Sequence, residues 1–145
     1  MPGKKIAIGS DHAGTDLKSI LIVRLEEQGH SVSDYGVPPG TLKSEYPQVA
    51  RLLSEKIAQG THECGILICG TGTGMAMAAN KIKGVRAANC LNEVMARYAR
   101  EHNDANVLTL GARIIGSELA LSILESFLRW EFQGGRHLER IKMME

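Results

Sequence analysis

A six-residue run, Cys64-Gly-Ile-Leu-Ile-Cys69, is apolar throughout and leads directly into the glycine-rich segment Gly70-Thr-Gly-Thr-Gly74. A strand that is apolar on both faces is typical of the centre of a parallel sheet covered by helices. Successive strands of such a sheet are joined by crossover helices, and alternating glycines let the chain turn sharply from strand into helix. The two segments therefore predict an α/β fold with a buried central strand.

The remaining sequence alternates between short β-rich runs and longer amphipathic ones. Further strands are predicted over 5–9, 31–35, 85–89 and 106–110, and helices over 14–28, 47–59, 75–81, 92–102 and 117–132, with a short final helix after Gly134-Gly135. This pattern predicts a three-layer sandwich around a five-stranded parallel sheet of the Rossmann or flavodoxin-like type, in the order 2-1-3-4-5. Residues 1–145 are expected to form one domain.

Composition excludes several classes of function. The net charge is +1 and the basic residues are scattered, which argues against a nucleic-acid or anionic-membrane partner. No apolar stretch is long enough to span a bilayer. The three cysteines have neither disulfide-framework nor metal-ligand spacing, so we expect a reduced, cytoplasmic protein without a metal site.

In the predicted order, ligands bind between the first and third strands, where the loops 9–14 and 70–74 begin. The second loop could direct backbone N–H groups at an anion, with Cys69 at its mouth as a thiolate. It lacks the Gly-Lys-Ser/Thr ending of a Walker loop, the glycine spacing of a dinucleotide fingerprint and the arginine of a cysteine-phosphatase loop. Two readings remain: an anion-stabilising loop with a reactive thiol, or a tight turn with an inert buried cysteine. Cys64 and Cys90 are expected to be packing residues.

Three further residues have both a functional and a structural interpretation. Asp11 and His12 follow the first strand, where they could contact a ligand, or could be a helix N-cap and a solvated side chain. His102 ends the fourth helix. It could compensate the helix dipole there or act as a proton shuttle near the cysteine site.

Three arginines are candidate phosphate ligands. Arg136 and Arg140 lie four residues apart, on one face of the final helix, and Arg113 follows the fifth strand. Guanidinium groups suit a phosphate dianion because each presents forked donors. A pair of solvated surface arginines is the alternative.

Taken together, these motifs closely resemble type B ribose-5-phosphate isomerase, a family that also contains the galactose-6-phosphate isomerase subunits. The resemblance is collinear over nearly the whole chain. It is carried by Gly9-Ser-Asp-His-Ala-Gly14, Ser44-Glu-Tyr-Pro47, Ile68-Cys-Gly-Thr-Gly-Thr-Gly74, Ala79-Asn-Lys81, His102-Asn-Asp-Ala-Asn106, Gly111-Ala-Arg113 and Gly134-Gly-Arg-His137.

The resemblance implies interconversion of ribose 5-phosphate and ribulose 5-phosphate without a metal or organic cofactor. It implies that Cys69 is the base, that Thr71 handles the oxygen protons and that His102 opens the furanose ring. It also implies a homodimer or tetramer with the site at the subunit interface, where some ligands come from the partner. The substrate-binding residues would be Asp11, His12, Tyr46, Gly70, Gly72, Thr73, Gly74, Asn103, Arg113, Arg136 and Arg140.

Alternatives stay open at this point. The galactose-6-phosphate isomerase subunits lack the loop cysteine, so its presence favours a ribose-phosphate substrate. A six-carbon substrate such as allose 6-phosphate or galactose 6-phosphate differs by one hydroxymethylene in pocket depth. A non-catalytic sugar-phosphate or nucleotide-binding module would not need Cys69 together with His102, and a thiol redox protein would be expected to have a C-x-x-C pair.

Overall fold

The computed structural model describes residues 3–145, which fold around one five-stranded sheet. The strands and helices alternate as expected from the sequence. In chain order they are β1 (Lys5–Ser10), α1 (Thr15–Glu27), β2 (Ser31–Asp34), α2 (Tyr46–Ala58), β3 (Cys64–Cys69), α3 (Thr73–Ala79), β4 (Ala87–Asn89), α4 (Glu93–Glu101), β5 (Val107–Gly111), α5 (Ser117–Arg129) and α6 (Arg136–Met144).

Most element boundaries lie within two residues of the predicted ones, and the differences have local causes. Helix α3 starts at Thr73 rather than at residue 75, because Gly72 has a left-handed conformation and is its N-cap. Helix α5 ends at Arg129 rather than at residue 132, because the next residue, Trp130, is already extended. A short 3₁₀ turn, His12–Gly14, precedes α1.

The α/β fold and the parallel sheet are confirmed, but the predicted order is wrong for the last two strands. The observed order is β2-β1-β3-β5-β4, so β5 rather than β4 lies beside β3. All five residues of β5 are buried, whereas the three residues of β4 are only half-buried. An interior strand must be covered on both faces, so the more apolar strand takes the inner position.

This order, with right-handed crossovers, determines the face of the sheet on which each helix lies. The steps from β1 to β2 and from β4 to β5 run in one direction across the sheet, and the steps from β2 to β3 and from β3 to β4 run in the other. Right-handed connections then place α1 and α4 on one face and α2 and α3 on the opposite face. The core clusters agree, since buried residues of α1, α4 and α5 pack together and those of α2 and α3 form a separate cluster. With the predicted order, α4 would have shared a face with α2 and α3.

Strand β4 forms one edge of the sheet, and a side chain covers part of that edge. The Asn80 amide accepts a hydrogen bond from the Ala87 N–H at 2.8 Å and donates one to the Ala87 carbonyl at 3.0 Å. An exposed strand edge would otherwise present unpaired backbone groups to other chains. Asn80 follows α3, so this bond also ties the end of that helix to the sheet.

The carboxyl ends of all the strands lie at one edge of the parallel sheet, here called the carboxyl edge, and their beginnings lie at the opposite, amino edge. Between β1 and β3 the connections diverge in opposite directions, which confirms the predicted position of the switch point. Cys69 ends β3 beside this point. No helix within residues 3–145 has both the length and the apolarity needed to cross a bilayer.

Candidate active site

The glycine-rich loop 70–74 is packed tightly against the end of β5. A Cβ atom on Gly111 would lie 2.6 Å from the carbonyl carbon and oxygen of Thr71, so only glycine lets the loop approach this closely. Gly72 has φ +81°, and a Cβ there would lie 2.2 Å from the Asn89 Oδ1 atom and 2.9 Å from the Leu110 carbonyl carbon. Gly111 is therefore required for the close approach of the loop to β5. Gly72 is required both for close approach and for its left-handed conformation.

Cys69 lies under this loop with 5% of its surface exposed. Its Sγ atom accepts a hydrogen bond from the Gly72 N–H at 3.1 Å, so the loop backbone is in direct contact with the sulfur. The other two thiols are in different surroundings. Burial raises the pKa of Cys64 to about 11 and that of Cys90 to about 12, which suits their predicted role in packing.

The threonines and the last glycine of the loop present polar groups toward solvent. Thr71 and Thr73 are exposed, and the Thr73 N–H donates to the Thr71 hydroxyl at 3.2 Å. The first backbone bond of α3 runs from the Ala76 N–H to the Gly72 carbonyl. The N–H groups of Gly74 and Met75, in the first turn of α3, therefore have no acceptor within the helix. Met75 is fully buried, so of the two it is the N–H of the half-buried Gly74 that an anion could engage.

Two predicted binding residues flank the loop. The Tyr46 ring lies against Gly74, where a Cβ atom would be 2.6 Å from the ring carbon Cε1. The Arg113 guanidinium lies against Gly70, where a Cβ atom would be 3.4 Å from Nη1. Both side chains are exposed, so their polar ends remain available to a ligand above the loop.

Asp11 and His12 come from the neighbouring loop after β1. The Asp11 N–H donates to the Ile68 carbonyl at 3.0 Å, which fixes this loop against β3. The Asp11 carboxylate accepts from the Ala13 N–H at 2.9 Å and thus caps the 3₁₀ turn, the structural role considered for it. Ser44 holds His12: the Ser44 hydroxyl accepts from the His12 N–H at 2.9 Å, and the Ser44 N–H donates to the imidazole Nδ1 at 3.3 Å.

The remaining predicted residues lie elsewhere. His102 follows α4 and is stacked between two rings, with its centroid 4.7 Å from that of Tyr98 and 4.3 Å from that of His137. Burial lowers the pKa of His137 below its usual value, and electrostatic interactions with His102, Arg136 and Arg140 lower it further. Arg136 and Arg140 are exposed on α6, beside this stack.

The residues around Cys69 and those around His102 lie at opposite edges of the sheet. Cys69 is level with Gly111 at the end of β5, and His102 precedes the start of that strand at Val107. Four residues at about 3.3 Å each place at least roughly 13 Å along the strand between the two levels. We call Asp11, His12, Tyr46, Cys69, the loop 70–74 and Arg113 the carboxyl-edge cluster, and His102, Asn103, Arg136, His137 and Arg140 the amino-edge cluster.

One chain therefore does not bring all the predicted residues together. The amino-edge cluster borders a surface cavity of about 510 Å³ that is lined by Lys81, Lys83, Arg86 and Asn103, among others. Asn103 itself is exposed, and its carbonyl accepts from the Arg86 Nε at 3.2 Å. Within residues 3–145, no three or more His, Cys, Asp or Glu side chains are grouped so that they could hold a metal ion.

Comparison with known protein families agrees with the resemblance that the sequence motifs indicated. The model of the ribose/galactose isomerase family matches residues 6–144, nearly the whole chain. The chain belongs to the ribose/galactose isomerase family. It is accordingly an enzyme, an isomerase, and the resemblance stated from the sequence motifs is confirmed.

Individual relatives extend the comparison. The chain is 44% identical to D-erythrulose-4-phosphate isomerase of Pectobacterium atrosepticum, over 94% of this chain and 90% of that one. The structure superposes on ribose-5-phosphate isomerase B of Clostridium thermocellum with a TM-score of 0.95, 46% identity and coverage of 97% and 94%. It superposes on ribose-5-phosphate isomerase B of Mycoplasma genitalium, solved with bound ribulose 5-phosphate, with a TM-score of 0.95, 40% identity and coverage of 99% and 95%.

Four residues that belong to the clusters or contact them were not among the predicted site residues. Ser44 and His137 stand inside sequence motifs that were recognised, but no role was assigned to them. Asn89 lies at the carboxyl end of β4 and contacts the loop, and Thr109, in the middle of β5, contacts Asn89. A search for polar residues at the ends of all the strands would have found Asn89.

Proposed function

We propose that this isomerase interconverts D-ribose 5-phosphate and D-ribulose 5-phosphate through an enediolate, with Cys69 as the base. The observation that carries the proposal is the position of Cys69, whose sulfur accepts the Gly72 N–H beneath a glycine loop with further backbone donors. Membership of the ribose/galactose isomerase family supports the reaction class.

The chemistry of the loop suits an aldose–ketose isomerisation. In the aldose, the Cys69 thiolate removes the proton from carbon 2, and its bonding electrons form the double bond of an enediolate with the negative charge on oxygen 1. The N–H of Gly74 would stabilise that charge. The Cys69 thiol then returns the proton to carbon 1, while the Thr71 hydroxyl carries the proton of oxygen 2 to oxygen 1. The product is the ketose, with no atom gained or lost.

The other predicted residues would bind the sugar and its phosphate. Asp11 and Tyr46 would contact sugar hydroxyls. A phosphate suits His12 and the three arginines, because forked and ring N–H donors match its oxygens. His102 would open the furanose ring as a general acid/base, since an imidazole can exchange protons near neutral pH.

We further propose a homodimer in which the amino-edge cluster of one subunit completes the carboxyl-edge cluster of the other. The separation of the two clusters within one chain supports this arrangement. An apolar stripe on and just before α4 supports it as well, since Leu91, Val94, Met95 and Tyr98 follow helical spacing and are between 41% and 59% exposed. A two-fold axis would create two such composite sites.

The choice of substrate is the finer part of the proposal. The bound ribulose 5-phosphate of the Mycoplasma genitalium relative favours a five-carbon sugar. The Pectobacterium relative is named for a four-carbon sugar phosphate, at 44% identity to this chain. Rates should therefore be compared on ribose 5-phosphate, D-erythrulose 4-phosphate, allose 6-phosphate and galactose 6-phosphate. We expect the highest kcat/KM on ribose 5-phosphate, and a higher value on any of the other three would contradict the assignment.

The role of Cys69 is tested with Cys69→Ala and a matched control. General base catalysis is worth roughly 100-fold to 10,000-fold, so we expect kcat to fall by at least about 100-fold with little change in thermal stability. Cys64→Ala removes a buried thiol from the other end of the same strand and should keep kcat near the wild-type value. Substantial turnover in Cys69→Ala would exclude this residue as the base. Substrate binding without proton exchange at carbon 2 in the wild-type protein would favour a non-catalytic binding module.

A further inference from the structure

The peptide unit between Thr71 and Gly72 is held at both ends. Its N–H, on Gly72, donates to the Cys69 Sγ at 3.1 Å, and its carbonyl, on Thr71, accepts from the Asn89 Nδ2 at 3.4 Å. Because a peptide unit is planar, fixing the direction of the carbonyl fixes the opposite direction for the N–H. Asn89 therefore holds the same peptide unit whose N–H contacts the sulfur.

Asn89 is itself oriented by Thr109, the residue opposite it in the β4–β5 pairing. The Thr109 hydroxyl is fully buried and donates to the Asn89 Oδ1 at 3.0 Å. This bond directs the amide oxygen toward Thr109 and so leaves the amide nitrogen to face the Thr71 carbonyl. The pair joins the middle of β5 and the end of β4 to the loop.

The loop conformation explains why such a restraint is needed. Gly72 has φ +81° and ψ −19°, in the left-handed region of backbone conformation. Glycine adopts negative as well as positive φ at little cost, so without a restraint the Thr71–Gly72 peptide could rotate. In the rotated form, the Gly72 N–H would point away from the sulfur.

We propose that Asn89, fixed by Thr109, is a positioning residue that keeps the Gly72 N–H directed at Cys69. Asn89 acts through the loop backbone. The expected effect of Asn89 on kcat rests on the proposed role of Cys69 as the base. Its effect on the hydrogen bond from the Gly72 N–H to the Cys69 sulfur does not.

The test uses two pairs of variants in the full-length protein. Asn89→Asp can still accept from Thr109 but cannot donate to the Thr71 carbonyl, and Asn89→Leu does neither. Thr109→Val removes the hydroxyl at nearly constant shape, and Thr109→Ser retains it. With the peptide misdirected, we expect kcat to fall by roughly tenfold to a hundredfold with little change in KM. Thr109→Ser should recover most of the activity that Thr109→Val loses.

A second measurement does not depend on turnover. The rate of Cys69 alkylation by iodoacetamide at pH 7, followed by mass spectrometry, should fall several-fold in both Asn89 variants and in Thr109→Val, because the sulfur loses a donor that stabilises the thiolate. Thermal unfolding of each variant checks that the fold is retained.

The outcomes separate this inference from the proposed function. Unchanged alkylation in both folded Asn89 variants would overturn the inference, whatever happens to kcat. Equal losses of kcat in Thr109→Ser and Thr109→Val would also overturn it, because packing rather than the hydroxyl would then be responsible. If the wild-type protein isomerises no sugar phosphate, the proposed function fails, and slower alkylation in the variants would still support the positioning of the sulfur.

Discussion

Gly72→Ala combines two unfavourable effects in one substitution. A left-handed backbone costs an L-residue about 1–2 kcal/mol, and Gly72 has φ +81°. The new Cβ would also lie 2.2 Å from the Asn89 Oδ1 atom and 2.9 Å from a backbone carbon of Leu110. Moving the Asn89 amide breaks its bond to Thr109, worth about 1 kcal/mol. We expect a total loss of about 2–3 kcal/mol in the free energy of unfolding.

Two other glycines separate these effects. Gly84 has φ +88°, and a Cβ atom there would have no neighbouring atom within 4 Å, so Gly84→Ala should cost only the conformational part, about 1–2 kcal/mol. At Gly111 the backbone angle is ordinary, but a Cβ would lie 2.6 Å from the Thr71 carbonyl, so Gly111→Ala should cost about 1–3 kcal/mol through overpacking.

The assay is urea denaturation of the three variants beside the wild-type protein, with isomerase rates measured on the same samples. Both Gly72→Ala and Gly111→Ala should lose activity, because each displaces the loop around Thr71, whereas Gly84→Ala should keep it. The reasoning is refuted if Gly72→Ala is no less stable than Gly84→Ala, or if it turns over substrate at the wild-type rate.

Two further predictions concern buried polar groups. Burial raises the pKa of Cys90 from 9.0 to about 12 in the folded state, so from about pH 9 upward the unfolded chain loses a proton that the folded chain keeps. The free energy of unfolding then falls by about 1.4 kcal/mol per pH unit. Between pH 9 and 11 it should fall less steeply with pH in Cys90→Ala than in the wild-type protein, and an identical slope would contradict this. The Lys18 ammonium is buried, 2.9 Å from the Asp34 Oδ1 and 2.7 Å from the Val37 carbonyl. Asp34→Asn should cost about 2 kcal/mol, somewhat less than for a fully buried pair because Asp34 is 43% exposed, and a loss below about 0.5 kcal/mol in urea titrations would show that the pair contributes little.

Much of the fold could be predicted because the local signals are strong. The apolar strand β3, the glycines that end the helices and the alternation of element types each follow from short-range patterns. Strand order depends instead on pairing between distant segments, and there the prediction failed for β4 and β5. The sequence did contain a relevant difference, since β4 is Ala-Ala-Asn, whereas β5 is Val-Leu-Thr-Leu-Gly and has the larger apolar side chains.

The roles of the candidate site residues remain predictions, and the structure shows only where each residue lies. Considered by itself, His102 was a candidate proton shuttle near the cysteine, and the family resemblance implied that it could come from a second subunit. A helix that returns to the start of the next strand must end at the amino edge, so His102 lies far from Cys69 within one chain. The contacts of Asn89 with Thr71 and Thr109 depend on which strands are neighbours, and the incorrect order placed β4 beside β3. The expected subunit interface remains a prediction. The separation of the two clusters within one chain is the observation that supports it.

The most direct test of the composite site is complementation between two inactive variants. Cys69→Ala and His102→Asn are co-expressed with different tags, and the mixed dimers are purified and assayed on ribose 5-phosphate. Each mixed dimer would contain one site with both substitutions and one with neither, so about half of the wild-type activity per dimer should return. Mixed dimers as inactive as the two parents would contradict a site built from the carboxyl edge of one subunit and the amino edge of the other.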